Sequence, residues 1–266
     1  PVLETRISLI RPDGPYYRGQ SAIAAARAGA TLEDVARVLW ECGSDDPFAE
    51  PTLAAWPHVV AEIARDATIP PLERALAAIP LLATSVRQSF SASPRVRHAI
   101  AATLLRQNAA LLVGGTPDDR PVHMQLADAW RPGDAGFADL VRAALVVGAD
   151  HELNVSAFAA RVVASTGAHL HATVCSGLAA LSGPRHGGAT ARAYALLAEA
   201  CDADSPRDAI ASRWQRGDDL PGFGHALYPD GDPRAAELLA RLRAQCSDAP
   251  VMPRLEATIT ATEEVS

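Results

Sequence analysis

The 266-residue chain is 48% hydrophobic and 21% charged, enough material for a buried core in one large domain or two unequal ones. All 24 basic residues are arginine and lysine is absent, which excludes a lysine Schiff base, a pyridoxal phosphate enzyme and a lysine-bearing P-loop. A formal charge of −7 argues against a general nucleic-acid or membrane-surface binder.

Aromatic residues make up only 5% of the chain and alanine is abundant, a mix that favours helices packed through small side chains over sheets. Arg6 to Ile10, the turn residues Pro12-Asp13-Gly14 and the segment Tyr16 to Gly19 predict a small hairpin. Thr31 reads as an N-cap before the acidic Glu33 and Asp34, with Leu32, Val35, Val38 and Leu39 on one helix face. Helices with proline in the first turn are predicted from Pro71 to Ile79 and from Ser93 through Leu112, the second ended by Gly114-Gly115-Thr116-Pro117. Phe137 to Val147 and Val155 to Leu181 follow, the latter interrupted near Gly167.

From Val162 to Ser182 the chain carries no Asp, Glu, Arg or Lys, long enough to raise a membrane span. Its histidines, serines and threonines and its alanine content predict a buried core helix instead. Further helices are expected from Gly188 to Cys201, Ser205 to Gln215 and Pro233 to Cys246. With no internal repeat and few strand signals, the expected fold class is mostly α. Cys42, Cys175, Cys201 and Cys246 are widely spaced with no C-x-x-C pair; they read as free thiols of a reducing compartment, which points to the cytoplasm.

Three histidines sit in company that a core histidine rarely needs: Asp150-His151-Glu152, Gly183-Pro184-Arg185-His186-Gly187-Gly188, and Pro221-Gly222-Phe223-Gly224-His225. Paired glycines let a backbone approach a ligand closely. His186 falls at the start of a helix, where the dipole disfavours the imidazolium and a neutral ring can donate to a developing enolate oxygen; a histidine that only caps a turn is the alternative. Pro221 to His225 must be a loop. Asp232 and Pro233 start the next helix, and Arg234 in its first turn is electrostatically misplaced unless an anion joins it. A metal site from His151, Glu152, His169 and His171 is imaginable, but residues two apart on a helix point in different directions, so no metal is expected. His58, His98 and His123 have no such company and read as surface or satisfied core residues.

In this order the three segments resemble the citrate synthase family, whose stretches read D-H-E-x-N-x-S, G-P-x-H-G-G-A, and P-G-F-G-H followed nine residues later by the arginine of D-P-R. Here they stand as Asp150 to Ser156, Gly183 to Ala189, Pro221 to His225 and Asp232-Pro233-Arg234. Tyr17-Arg18-Gly19 is similar to the family's N-terminal Y-R-G. The resemblance implies a large helical domain over 1–187 and a smaller one over 188–266, continuing beyond the chain's end, with the active site in the cleft between the two domains and a homodimer as the assembly. It implies that His186 hydrogen-bonds the thioester oxygen of acetyl-CoA as its enol forms, and that His225 polarises the oxaloacetate carbonyl. His151 and Arg234 would bind oxaloacetate oxygens, and Gly222, Phe223 and Gly224 would lie along coenzyme A. The products would be citrate and coenzyme A, with acyl-CoA as cosubstrate and no permanently bound cofactor.

The chain also departs from the pattern. Arg185 replaces an apolar residue, Thr190 stands where asparagine is common, and Ala226-Leu227-Tyr228-Pro229 replaces a stretch in which many relatives carry basic residues; weaker or altered recognition of coenzyme A is the expectation. The N-x-D-[FY]-like segment that carries the family's aspartate base is not found, and with Pro1 rather than Met at the start the sequence is expected to be part of a longer protein. Two alternatives stay open: a 2-methylcitrate synthase using propionyl-CoA, since one methylene is worth only roughly 1–3 kcal/mol of discrimination, and a non-catalytic homologue that senses the acid or the acyl-CoA.

Overall fold

A computed structural model describes residues 4–49 and 55–265. It is mostly α: thirteen helices and one three-stranded sheet occur among the described residues. The chain folds as two compact units, 1–180 and 181–266, whereas the sequence places a domain boundary after Gly187.

The larger unit opens with the expected hairpin, β1 (Ser8–Arg11) against β2 (Gly14–Tyr17), extended by β3 (Gln20–Ser21). The register pairs Ser8 with Tyr17 and, across the second turn, Tyr17 with Gln20. That second turn consists of Arg18 (φ 46°) and Gly19 (φ 84°), the two positive φ values that a two-residue hairpin turn matched to strand twist requires.

Helices α1 (Ala22–Arg27) and α2 (Leu32–Trp40) follow, α2 begun by a reciprocal capping box between Thr31 and Asp34. The Arg18 guanidinium closes the far end of α2, donating to the Leu39 carbonyl at 2.9 and 3.1 Å and pairing with Glu41 at 3.1 Å. A cation thus meets the last orphan carbonyls of the helix.

Next come α3 (His58–Arg65), α4 (Pro71–Ala83) and α5 (Pro94–Val113). Their core is built from Val60, Ala64, Ala78, Ile79, Leu104 and Leu111, all at most 4% exposed. Small side chains let these helices approach closely, which suits an alanine-rich chain. Buried Arg74 donates to the carbonyls of Leu111, Asp66 and Ile69, satisfying carbonyls that helix ends leave open. A second core joins α5 to α6 (Val122–Trp130) and α7 (Ala135–Val147) through Ala109, Val122 and Leu126, with Val141 and Leu145 against them.

The uncharged run is not one buried helix. It is divided between α8 (Val155–Ser165) and α9 (Leu170–Leu181) by a turn at Gly167, whose φ is +81°. No residue of α8 is buried, and on α9 only His171 is, although Leu170, Val174 and Leu178 pack against the α3–α5 core. The core-helix expectation holds for the face of α9 that packs inward and not for α8, where Val155, Phe158 and Val162 are 63%, 44% and 50% exposed. Among the described residues no helix is long and apolar enough to cross a membrane.

The smaller unit holds α10 (Ala189–Asp202), α11 (Pro206–Gln215), α12 (Pro233–Cys246) and α13 (Met252–Glu263). Leu196, Ala200, Ile210 and Ala261 form its core, with Leu220, Phe223 and Val265 packed on it. The threonine-rich α13 lacks a readable helical pattern in the sequence. Thr258 and Thr262 are fully buried and their hydroxyls donate to the carbonyls four residues back, at 2.8 and 2.7 Å. That lets polar β-branched residues serve as core positions.

Candidate functional site

The segment carrying His151 is held at both ends. Where α7 stops, the Tyr17 hydroxyl lies 3.0 and 3.1 Å from the carbonyls of Val146 and Val147, and it accepts the Asp150 backbone N–H at 3.4 Å. The Ser8 hydroxyl, from the residue paired with Tyr17 across the hairpin, donates to the Asp150 carboxylate. Asp150 Oδ2 also accepts from the backbone of Glu152 at 3.1 Å, in a turn where Glu152 adopts φ +56°. Asn154 then caps α8, accepting from Ala157 N at 3.0 Å. His151 stands half-buried between these anchors. Each part of Tyr17-Arg18-Gly19 therefore has a structural duty: the phenol fixes the Asp150 turn, the guanidinium caps α2, and the glycine makes the hairpin turn.

His186 lies in the smaller unit, in the turn that leads into α10. The Gly183 carbonyl accepts from His186 N at 2.9 Å and Gly188 N at 3.1 Å, and the His186 carbonyl accepts from Ala189 N at 3.0 Å. The imidazole is half-buried just ahead of the helix start, where the sequence puts it. The neighbouring glycines serve the chain's own packing. A Cβ on Gly187 would sit 2.5 Å from the Leu181 carbonyl oxygen and 2.6 Å from its Cγ, and one on Gly188 would sit 2.9 Å from Pro184 Cα. Only glycine allows the turn to fold back so tightly.

The loop after Leu220 brings two further candidates together. Gly222 (φ +93°) rests on α10, where an added Cβ would meet Ala193 Cβ at 2.9 Å, and Phe223 anchors the loop in the small-unit core. His225 Nδ1 accepts the Leu227 N–H at 3.2 Å; with Nδ1 an acceptor, the neutral ring carries its proton on Nε2 and presents a donor there. The His225 and Tyr228 rings are 5.1 Å apart between centroids, and the Arg234 guanidinium carbon is 5.5 Å from the Tyr228 centroid.

Asp232 is the N-cap of α12 and also the anion that Arg234 calls for. Its carboxylate accepts from Arg234 Nε at 3.0 Å and Nη2 at 2.6 Å, and from the Arg234 backbone N at 2.9 Å. Burial raises the Asp232 carboxyl, but the Arg234 hydrogen bonds and charge, with His225 adding a smaller share, hold it below the usual carboxylate range. The Tyr228 phenol is pushed up, chiefly by burial. Asp232 takes the Nε–Nη2 edge of the guanidinium and so fixes its plane. Neither the Asp232 chelate nor the placing of Tyr228 beside His225 and Arg234 is legible in the sequence: Asp232 reads there as a helix cap, and Tyr228 only as a departure from a basic stretch.

The remaining histidines lie elsewhere. His58 is exposed beside Glu62, His98 stacks on Trp40, and His123 is buried, which lowers its pKa. His169 precedes α9 and caps it, its Nδ1 accepting from Ala172 N at 3.1 Å, and its ring meets that of His171 at 5.8 Å. Among the described residues no group of three or more His, Cys, Asp or Glu is placed to hold a metal ion.

Comparison with known proteins gives one consistent result. The family model of the citrate synthase C-terminal domain matches residues 1–266. The 2-methylcitrate synthase of Shewanella oneidensis is 42% identical over 92 residues, 35% of this chain and 24% of that protein. The citrate synthase of Helicobacter pylori is 33% identical over 168 residues, 61% of this chain and 38% of that protein. The chain thus spans well under half the length of these curated relatives. Among solved structures, citrate synthase from Thermoplasma acidophilum, in a ternary complex with carboxymethyl coenzyme A and oxaloacetate, superposes with a TM-score of 0.78 at 20% identity, covering 99% of this chain and 76% of that one; the likeness is one of fold. With its family model matched from end to end, the chain belongs to the citrate synthase family.

Proposed function

We propose that the protein condenses acetyl-CoA with oxaloacetate to give citrate and coenzyme A, as a homodimer in the cytoplasm. The observation that carries this reading is the arrangement after Gly224: a histidine with its donor set on Nε2, and an arginine oriented by a chelating aspartate, both beside one buried ring. A donor and a carboxylate-binding guanidinium suit a 2-oxo dicarboxylic acid, whose ketone gains negative charge during attack.

A carboxylate base, which none of the candidate residues named here supplies, removes a proton from the thioester methyl, and His186 stabilises the enol by donating to its oxygen. The enol carbon attacks the ketone carbon while His225 Nε2–H supports, and then protonates, the ketone oxygen. Water hydrolyses the resulting thioester and releases coenzyme A. His151 would hold an oxaloacetate oxygen, and the Gly222-Phe223-Gly224 loop would lie along acyl-CoA, which is a cosubstrate and not a resident cofactor. Four free thiols support a reducing compartment, and the outward apolar stripe of α8 supports a second copy as partner.

Similarity to a 2-methylcitrate synthase favours a second reading in which propionyl-CoA is the donor. Thiol release from acetyl-CoA and from propionyl-CoA with oxaloacetate, using the full-length gene product, decides between them by the ratio of kcat/KM. His186→Ala and His225→Ala are each expected to lower kcat at least about 100-fold. No thiol release with either donor overturns the synthase reading, and unchanged turnover in His186→Ala overturns the assignment of the enol-stabilising role.

A further inference from the structure

We propose that Tyr228 is a positioning residue, its ring setting the spacing and orientation of His225 and Arg234; this rests on the reading that those two residues meet the oxo acid. The ring is 3% exposed, and both candidate groups lie against it, the imidazole at 5.1 Å and the guanidinium carbon at 5.5 Å. Its backbone is tied to the same loop: Tyr228 N donates to the His225 carbonyl at 2.9 Å, and Gly231 N to the Tyr228 carbonyl at 3.1 Å. The eight residues between His225 and Arg234 are therefore folded around one side chain.

Each neighbour is held from its other side as well. The Leu227 N–H fixes the His225 ring through Nδ1, and Asp232 fixes the guanidinium through Nε and Nη2. Tyr228 touches both, and so bears on the distance between them. An aromatic ring suits this task because its negative face attracts a guanidinium, and because it is a flat, rigid spacer with few rotamers. A leucine would fill much of the space and supply neither property. Both contacts are made to the ring, so the role belongs to the ring and not to the hydroxyl.

The test compares Tyr228→Phe with Tyr228→Leu in the full-length gene product, with Tyr228→Met used should the leucine variant not fold. Equilibrium binding of oxaloacetate without acyl-CoA is measured beside steady-state kinetics. Tyr228→Phe is expected to stay within about threefold of the parent, while Tyr228→Leu weakens oxaloacetate binding roughly tenfold and lowers kcat, with the KM for acyl-CoA unchanged. Parent-like oxaloacetate affinity and kcat in Tyr228→Leu overturn the proposal. So does a loss in Tyr228→Phe as large as in Tyr228→Leu, which would assign the effect to the hydroxyl. A lowered Tm with both KM values moved alike also overturns it, as that is the signature of packing alone. If the parent binds oxaloacetate without turnover and the leucine variant loses that binding, positioning stands and the synthase reading falls; if the parent does not bind oxaloacetate, both fall.

Discussion

Tyr17 and Asp150 meet across 133 positions of sequence, the buried Tyr17 hydroxyl accepting the Asp150 backbone N–H at 3.4 Å while facing the carbonyls of Val146 and Val147. One phenol thus ties the N-terminal hairpin to the start of the segment that carries His151. Tyr17→Phe removes the hydroxyl and keeps the ring in place. The loss of a buried hydrogen-bonding group of this kind is expected to cost about 1–3 kcal/mol of stability. Urea unfolding of the two proteins, compared at unchanged m value, checks it.

His171 gives the fold a defined acid weakness. It is 1% exposed, and burial, with a smaller contribution from the neighbouring His169, pushes its pKa down to about 4. In the unfolded chain an imidazole titrates near about 6.5. Above that value both states are neutral and there is no penalty. As the pH falls from about 6.5 to about 4, the unfolded state takes up a proton that the folded state refuses, and stability drops by up to about 3 kcal/mol. His171→Leu is expected to flatten the slope of unfolding free energy against pH in that window. An unchanged slope shows that His171 is protonated in the folded protein without penalty.

The three histidine segments and the helices with proline or a capping residue at the first turn are legible in the sequence because their signals are local. Thr31 and Asp34, Pro71, Pro94 and Asp232 mark helix starts, and those marks need no tertiary context. What escapes a sequence reading depends on distant partners. Helix α13 is hidden because Thr258 and Thr262 look polar, and become core residues only once their hydroxyls bond back to the helix. Tyr228 carries no local signal, since its meaning arises from rings and charges that the loop folds around it. The α8–α9 run misleads for the opposite reason. Its lack of charge suggests burial throughout, while only α9 packs on the core and α8 turns an apolar stripe outward.

Gly187 is expected to be intolerant of any side chain. A methyl group there would lie 2.5 Å from the Leu181 carbonyl oxygen and 2.7 Å from its Cδ1, and backbone on one side cannot yield as a flexible side chain does. Gly187→Ala should cost about 1–3 kcal/mol and displace the turn that presents His186. Gly224 offers a control: it has φ +75° but nothing within 4 Å of a built Cβ. There alanine meets only the backbone strain of a positive φ, about 1 kcal/mol. Thermal unfolding of both variants checks the order. Equal losses would show that overlap with Leu181 is relieved by a shift of the turn.

The outward stripe of α8 tests the proposed assembly. Val155, Phe158 and Val162 recur at spacings of three and four, so they share one helix face, and all three are more than two-fifths exposed. Burying such a side chain is worth about 1.5–3 kcal/mol, and covering several at once in a twofold interface doubles the gain because each copy contributes the same stripe. A charge placed at the stripe must be desolvated twice. Phe158→Glu is therefore expected to shift the protein from dimer to monomer in sedimentation velocity at micromolar concentration, with its far-ultraviolet circular dichroism unchanged. Since Phe158 lies in no site segment, loss of oxaloacetate binding on dissociation would mean that the partner copy helps to complete the site. Retained binding by a monomer would confine the site to one chain, and a dimer that survives Phe158→Glu would place the interface on another face.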